Sequence, residues 1–312
     1  MHRGGDAGHR PHIGRMDTIT ETYSDTLLGF SLPERDARGR AVRLDDVADL
    51  ILSAHAYPRP VAKLLEEALV LAALIGGAID KGEGQMTLQA QSKGGAVTLL
   101  VCDYKGGQLR GYADFDEDAV AALPPRPDLQ ALFGEGHLAI TFDMNDERGR
   151  YQGIVPLEGP SLTSACQHYF IQSEQVPTII RTAVSMEADG ARAGGLLIQH
   201  LPDGEEGRER LHVRLDNPHW EHVSILGGSV QADELLDPDL SMEAIVWRLF
   251  HEEKEVRVLK GAKVSRGCRC SVEHYEAVIA RFPENEQAQM RDDDGNILVD
   301  CAFCSKVFTL GS

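Results

Sequence analysis

Gln85–Gln91 (QMTLQAQ), Ala96–Cys102 (AVTLLVC) and Gln108–Ala113 (QLRGYA) decide the fold class of this chain. The first alternates polar and apolar residues strictly, which is the pattern of a strand with one buried face. The connections between the three runs are Lys93-Gly94-Gly95 and Lys105-Gly106-Gly107. Connections this short, carrying glycine, join antiparallel neighbours; a parallel crossover needs a dozen residues or more. Further strand-like runs follow at His137–Asp143, Tyr151–Pro156, Thr178–Met186 and Gly195–Leu201, with a helix expected around Ser161–Ser173. Strands outnumber helices and adjoin one another, so the expected class is α+β: an antiparallel-sheet-rich body packed with helices.

Upstream, Asp45 or Asp46 is placed to cap a helix bearing Val47, Leu50, Ile51 and Ala54 on one face. Pro58 and Pro60 begin the next helix, whose Ala68–Ile79 stretch is apolar nearly all round. Glu66 and Glu67 before it and Asp80 and Lys81 after it mark a buried helix, not a membrane span. Met1–Arg15 lacks the apolar centre of a secretory signal, so residues 1–25 read as a polar tail and a cytoplasmic location is expected.

The 312 residues include 31 Lys and Arg against 49 Asp and Glu, a net charge of −18. A phosphate-binding surface needs positive charge, so nucleic acid is disfavoured as the main partner, and no membrane partner is expected. The body is expected to span residues 26–202. Residues 203–259 then form a charged connection followed by a helical linker. One face there carries Trp220, Val223, Leu226 and Val230, and a second carries Met242, Ile245, Val246, Leu249 and Phe250. Both tryptophans, Trp220 and Trp247, fall in this stretch and are expected to pack on apolar faces.

Residues 260–312 form the last segment, with Cys268-Arg269-Cys270, a thirty-residue interval, then Cys301-Ala302-Phe303-Cys304. Two close pairs of soft thiolates suit a closed tetrahedral Zn²⁺ site, one ion per chain. Polar flanks at Arg266, Arg269, Asp300 and Ser305 argue against four buried structural cysteines. A one-residue spacer is unusual for a permanent staple and hints at a redox-labile arm. Cys102 and Cys166 stand apart and read as core. Cys166 and His168 are two residues apart on a helix and so face different ways, which disfavours a catalytic pair. His219 and His222 lack a third metal ligand nearby, and Asp292-Asp293-Asp294-Gly295 reads as a turn.

Cys268-Arg269-Cys270-Ser271, Cys301-Ala302-Phe303-Cys304 and Phe308 resemble the zinc segment of the heat shock protein 33 family, the redox-regulated 33 kDa chaperonins. Collinear likeness extends upstream through Arg59-Pro60-Val61, Arg110-Gly111-Tyr112, Tyr151–Val155, Tyr169–Thr178 and Ala193–Gln199, covering about residues 27 to 308. Two departures are that Glu273 is followed by His274, and that Arg281–Arg291 is more polar than the helix usually found there.

The resemblance implies a non-enzymatic, ATP-independent holdase for unfolded client proteins, inactive while reduced and zinc-bound. It implies that oxidation pairs Cys268 with Cys270 and Cys301 with Cys304, releases zinc and melts the last segment. The linker, expected to be weakly held, would then lose its support, and Trp220, Val223, Leu226, Ile245, Trp247 and Leu249 become the candidate client surface. A homodimer of the oxidised form stays open. Two other classes compete: a zinc-ribbon nucleic-acid module, disfavoured because acidic residues outnumber basic ones from His251 onward, and a dithiol oxidoreductase, disfavoured because all four thiols belong to one closed site.

Overall fold

The computed structural model describes residues 24–79, 84–144, 149–187, 190–201 and 217–311. The expected tail up to residue 23 and the charged connection at 203–216 lie outside these residues. β1 (Thr26–Leu32) and β2 (Ala37–Leu44) form a hairpin around a short turn in which Asp36 is left-handed at φ 46°. α1 (Asp46–Leu52) follows, with Val47, Ala48, Ile51 and Leu52 buried. Its expected cap is corrected: the Asp45 side chain makes no capping bond, and the Asp25 carboxylate instead accepts from the Asp45 and Val47 amides. Leu50, expected on the buried face, is 49% exposed.

α2 (Arg59–Gly76) is the axis of the body. Strands β3 (Gly84–Ser92), β4 (Val97–Lys105), β5 (Gln108–Phe115), β6 (Gly136–Met144) and β7 (Arg150–Pro156) pack on one side of it as an antiparallel sheet. Two short helices, α3 (Glu117–Ala121) and α4 (Leu129–Phe133), bridge β5 to β6, each capped by an aspartate side chain at Asp116 or Asp128. α5 (Leu162–Tyr169) continues without a break as a wider π-helical turn at Phe170–Glu174, so the helical run matches the expected Ser161–Ser173 to within one residue at each end. β8 (Thr178–Glu187) and β9 (Gly190–His200) join β1 and β2 on the other side of α2.

Pressed between two sheets, α2 buries every residue from Ala68 to Gly76, which is why that part of the expected Ala68–Ile79 run is apolar all round; the helix ends at Gly76, and Ala78 beyond it is exposed. Glycines let the strands approach: a Cβ on Gly195 would lie 2.5 Å from Val70 Cγ1, and one on Gly111 would lie 2.9 Å from Leu65 Cδ1.

α6 (Pro218–Gly228), α7 (Ala232–Leu236) and α8 (Met242–Phe250) form the linker. They bury Trp220, Val223, Ile245, Leu249 and Phe250 against Leu28, Phe30, Leu32, Ala41, Leu196 and Ile198 on the outer face of the five-stranded sheet. The expectation of a weakly held linker is therefore corrected. Each such side chain contributes about 1.5–3 kcal/mol. In addition, the buried Arg43 guanidinium donates to the carbonyls of Glu234, Leu235 and Leu240. Trp247 is also corrected: it is 65% exposed, because Ile245 and Leu249 on either side of it face the sheet.

β10 (Arg257–Lys263) crosses the position where linker was expected to meet cysteine segment, and pairs antiparallel with β1 as an edge of the five-stranded sheet. Two residues later β11 (Ser265–Arg266) pairs parallel with β5 in the other sheet. The chain thus touches both sheets just before Cys268. Among the described residues no helix is long and apolar enough to cross a membrane.

Candidate metal centre

Cys268 and Cys270 lie between β11 and α9 (Val272–Ile279), which Ser271 caps by accepting from the His274 amide. Pro283 separates α9 from α10 (Glu284–Gln289), so the polar Arg281–Arg291 stretch is a break plus a short second helix. β12 (Ile297–Asp300) and β13 (Val307–Leu310) pair antiparallel, and Cys301-Ala302-Phe303-Cys304 is the turn between them. The Cys304 and Ser305 amides both donate to the Cys301 carbonyl, and Ser305 sits at φ 56° to complete the knuckle.

The fold brings the four expected cysteines together. All four sulfurs lie within 4.8 Å of one another. Cys268 Sγ is 3.3 Å from Cys270 Sγ and 3.5 Å from Cys301 Sγ, and Cys270 Sγ is 3.6 Å from Cys304 Sγ. Tetrahedral Zn–S bonds of about 2.3 Å place sulfurs roughly 3.7 Å apart, so spacing and donor type both fit Zn²⁺.

Burial raises the Cys301 thiol, but hydrogen bonds from the Tyr275 hydroxyl, the Phe303 amide and neighbouring thiols bring it down to about 6. Burial, reinforced by the Cys268 thiol, pushes Cys270 well up, and burial raises Cys304. Four sulfurs this close cannot all ionise against one another; a dication removes that repulsion. Cys102 and Cys166 lie elsewhere, fully buried in the main core, with burial raising both thiols.

Around the sulfurs the segment has little core: Ile297, Phe308 and Leu310 are buried with Cys301, and neither α9 nor α10 buries any residue. Sequence reasoning missed the residues that receive this segment. Arg269 Nη2 donates to Asp103 Oδ2 on β4 at 2.9 Å, and Ser305 Oγ donates to the Ala54 carbonyl at 2.6 Å. Arg110 lies 4.0 Å over the Phe303 ring, and His55 Nε2 is 2.7 Å from the Ala302 carbonyl oxygen. An aspartate at the end of an otherwise apolar strand run was the available signal for Asp103.

The profile of the family described as Hsp33 protein matches residues 25–310. A 33 kDa chaperonin of Caulobacter vibrioides (strain NA1000 / CB15N) is 40% identical over 299 residues, covering 93% of this chain and 96% of the relative. A 33 kDa chaperonin of Pseudomonas savastanoi pv. phaseolicola is 36% identical over 280 residues, covering 89% and 87%. Among solved structures, a 33 kDa chaperonin (heat shock protein 33 homolog) of Thermotoga maritima superposes with a TM-score of 0.74 at 20% identity. That alignment covers 92% of this chain and 95% of the other, and is a likeness of fold. Matched by the family profile across both sheets, the linker and the cysteine turn, the chain belongs to the Hsp33 protein family.

Proposed function

We propose that the chain is an ATP-independent holdase chaperone of the cytoplasm, closed when its cysteine centre is reduced and zinc-loaded, and opened by oxidation of that centre. One observation carries the reading: α6–α8 cover an apolar sheet face, and the chain leaving that cover runs through β10 and β11 directly into Cys268. Relatives named 33 kDa chaperonin support the same class of activity.

Cys268, Cys270, Cys301 and Cys304 would hold one Zn²⁺. Bound there, the ion supplies a cross-link between two arms thirty residues apart, a closure worth about 3 kcal/mol in chain entropy alone. Oxidation by hydrogen peroxide converts two thiolates to one disulfide: the S–S bond forms, the O–O bond breaks, and the two oxygens leave as two waters with two protons drawn from solvent. Sulfur contacts exist both within and across the arms, so the pairing of Cys268 with Cys270 and of Cys301 with Cys304 rests on the family resemblance. Such bonds close loops of one and two intervening residues and leave the thirty-residue interval unconstrained. The last segment, with its small core, then melts.

Release of the cover follows through β10. Melting withdraws the anchor beyond β11, frays β10 from β1, and loosens the chain leaving α8. The sheet face lined by Phe30, Leu196 and Ile198 and the inner face of the linker become available to an unfolded client. The test is light scattering from a chemically unfolded client without nucleotide. Protein treated with peroxide at mildly raised temperature should suppress aggregation near stoichiometric ratio, and the reduced zinc-loaded protein should not. Equal suppression by both forms rejects the switch; suppression by neither rejects the chaperone.

A further inference from the structure

The body grips both arms of the cysteine centre at one buried carboxylate. Asp103 on β4 has a side chain only 4% exposed. Its Oδ1 accepts from the Thr87 hydroxyl at 2.6 Å. Its Oδ2 accepts from Arg110 Nε at 2.7 Å and from Arg269 Nη2 at 2.9 Å. Arg110 stands directly opposite Asp103 in the β4–β5 register. Arg269 is the residue between Cys268 and Cys270, and the ring under the Arg110 guanidinium is Phe303, from the Cys301–Cys304 arm. Tyr112, two residues along β5, meets the same ring edge-on at 6.5 Å. One ion pair of the body therefore holds one residue from each cysteine arm.

We propose that Asp103 and Arg110 form a latch that seats both cysteine arms on the six-stranded sheet and so sets how readily the cysteine centre opens. The inference rests on the reading that opening of this centre is the switch. A surface ion pair would contribute little. Here the carboxylate is buried and the Arg269 side chain is 28% exposed, so the contact is a charge-assisted hydrogen bond shielded from water.

The backbone around it is fixed as well. The Ser265 amide donates to the Gly107 carbonyl at 2.9 Å, and the Gly267 amide to the Leu109 carbonyl at 2.8 Å. Arg269 thus leaves a short strand already registered on β5, with little freedom to find another partner. Any contact present only while the segment is seated adds to the cost of opening it, so weakening the latch should lower the threshold.

The test is a double-mutant cycle on full-length, reduced, zinc-loaded protein: Asp103→Asn, Arg269→Gln, and the two together. Metal content before oxidation establishes that each variant starts loaded. The readouts are the rate of zinc transfer to a chromogenic chelator at fixed peroxide, and amide exchange over residues 265–270 without oxidant. Each single variant should release zinc about tenfold faster, the scale of one charge-assisted hydrogen bond, and the double variant should be no faster than the singles. Exchange should rise in all three. Unchanged single variants, or a double variant showing the product of two independent effects, would overturn the latch.

If Asp103→Asn disturbs the body, as judged by circular dichroism, the decision passes to the Arg269 variants. Arg269→Lys should then recover part of the slow release lost in Arg269→Gln, and equal rates for Lys and Gln reject the proposal. Failure of the switch reading looks different: peroxide would strip zinc from the wild type without any gain in aggregation suppression, whatever the ranking of the variants.

Discussion

Serine in place of Cys268 or Cys304 should abolish stoichiometric metal binding and unfold residues 268–311 while leaving the two-sheet body folded. The large effect follows from how little else holds that segment. Its buried side chains besides Cys301 are Ile297, Phe308 and Leu310, and both of its helices lie on the surface. Segments of this size do not hold themselves by burial alone. A four-thiolate zinc site contributes on the order of 10 kcal/mol or more, far above what three apolar residues provide. The body should survive because α2 and both sheets form a separate core. Metal analysis and limited proteolysis check this directly. Cys102→Ser and Cys166→Ser should retain one zinc per chain, since both thiols lie in the main core. Zinc retained after loss of all four clustered cysteines would contradict the assignment.

Glu66 should make the body lose stability as pH rises from acid to mildly alkaline conditions. It lies in α2, wholly buried, and neither carboxylate oxygen has a hydrogen-bond partner among the described residues. Burial is the main cause of its raised pKa, with Asp49 adding and Lys63 opposing; the carboxyl moves from 4.5 up to about 8. A folded pKa above the unfolded value means the contribution is fully present below 4.5 and is lost as pH climbs toward about 8. Over that window the loss is on the order of 5 kcal/mol, at about 1.4 kcal/mol per unit. Glu66→Gln removes the titration. Urea midpoints at several pH values should show wild type falling relative to the variant, with the variant more stable at the alkaline end. Parallel curves would show that Glu66 is ionised and paired in the folded chain.

The strands at 84–115 were legible because the first alternates strictly and the connections between them are too short for anything but hairpins. β1 and β2 were harder: Arg38, Arg40 and Arg43 interrupt the apolar text of β2, and Arg43 is buried only because topology brings three linker carbonyls to it. β10 was missed for a similar reason, since RVLKGAK has no clean period. The buried character of α2 was readable, but not the two sheets that bury it. Spacing alone identified the four cysteines, because metal-ligand geometry is local in sequence. The site that receives them was not readable. Asp103, Arg110 and His55 lie far upstream, and nothing near them in sequence announces a partner in the last segment. Trp247 shows the limit of face-counting: Ile245, Val246 and Leu249 around it are apolar and buried, yet its own direction is outward.

The central claim is that oxidation of the cysteine centre uncovers the sheet face beneath the linker. Trp220 reports on that cover, being buried and stacked 5.7 Å from the His200 ring of the five-stranded sheet. Trp247→Phe leaves Trp220 as the sole tryptophan and removes the signal of an already exposed indole. In that variant, zinc release and indole emission should be followed together after peroxide addition at mildly raised temperature. Emission should shift to the red with or after zinc release, as aggregation suppression appears, and return when reductant and zinc are restored together. Emission that stays fixed while zinc departs and suppression appears would contradict the account, because clients would then be binding without the linker leaving the sheet.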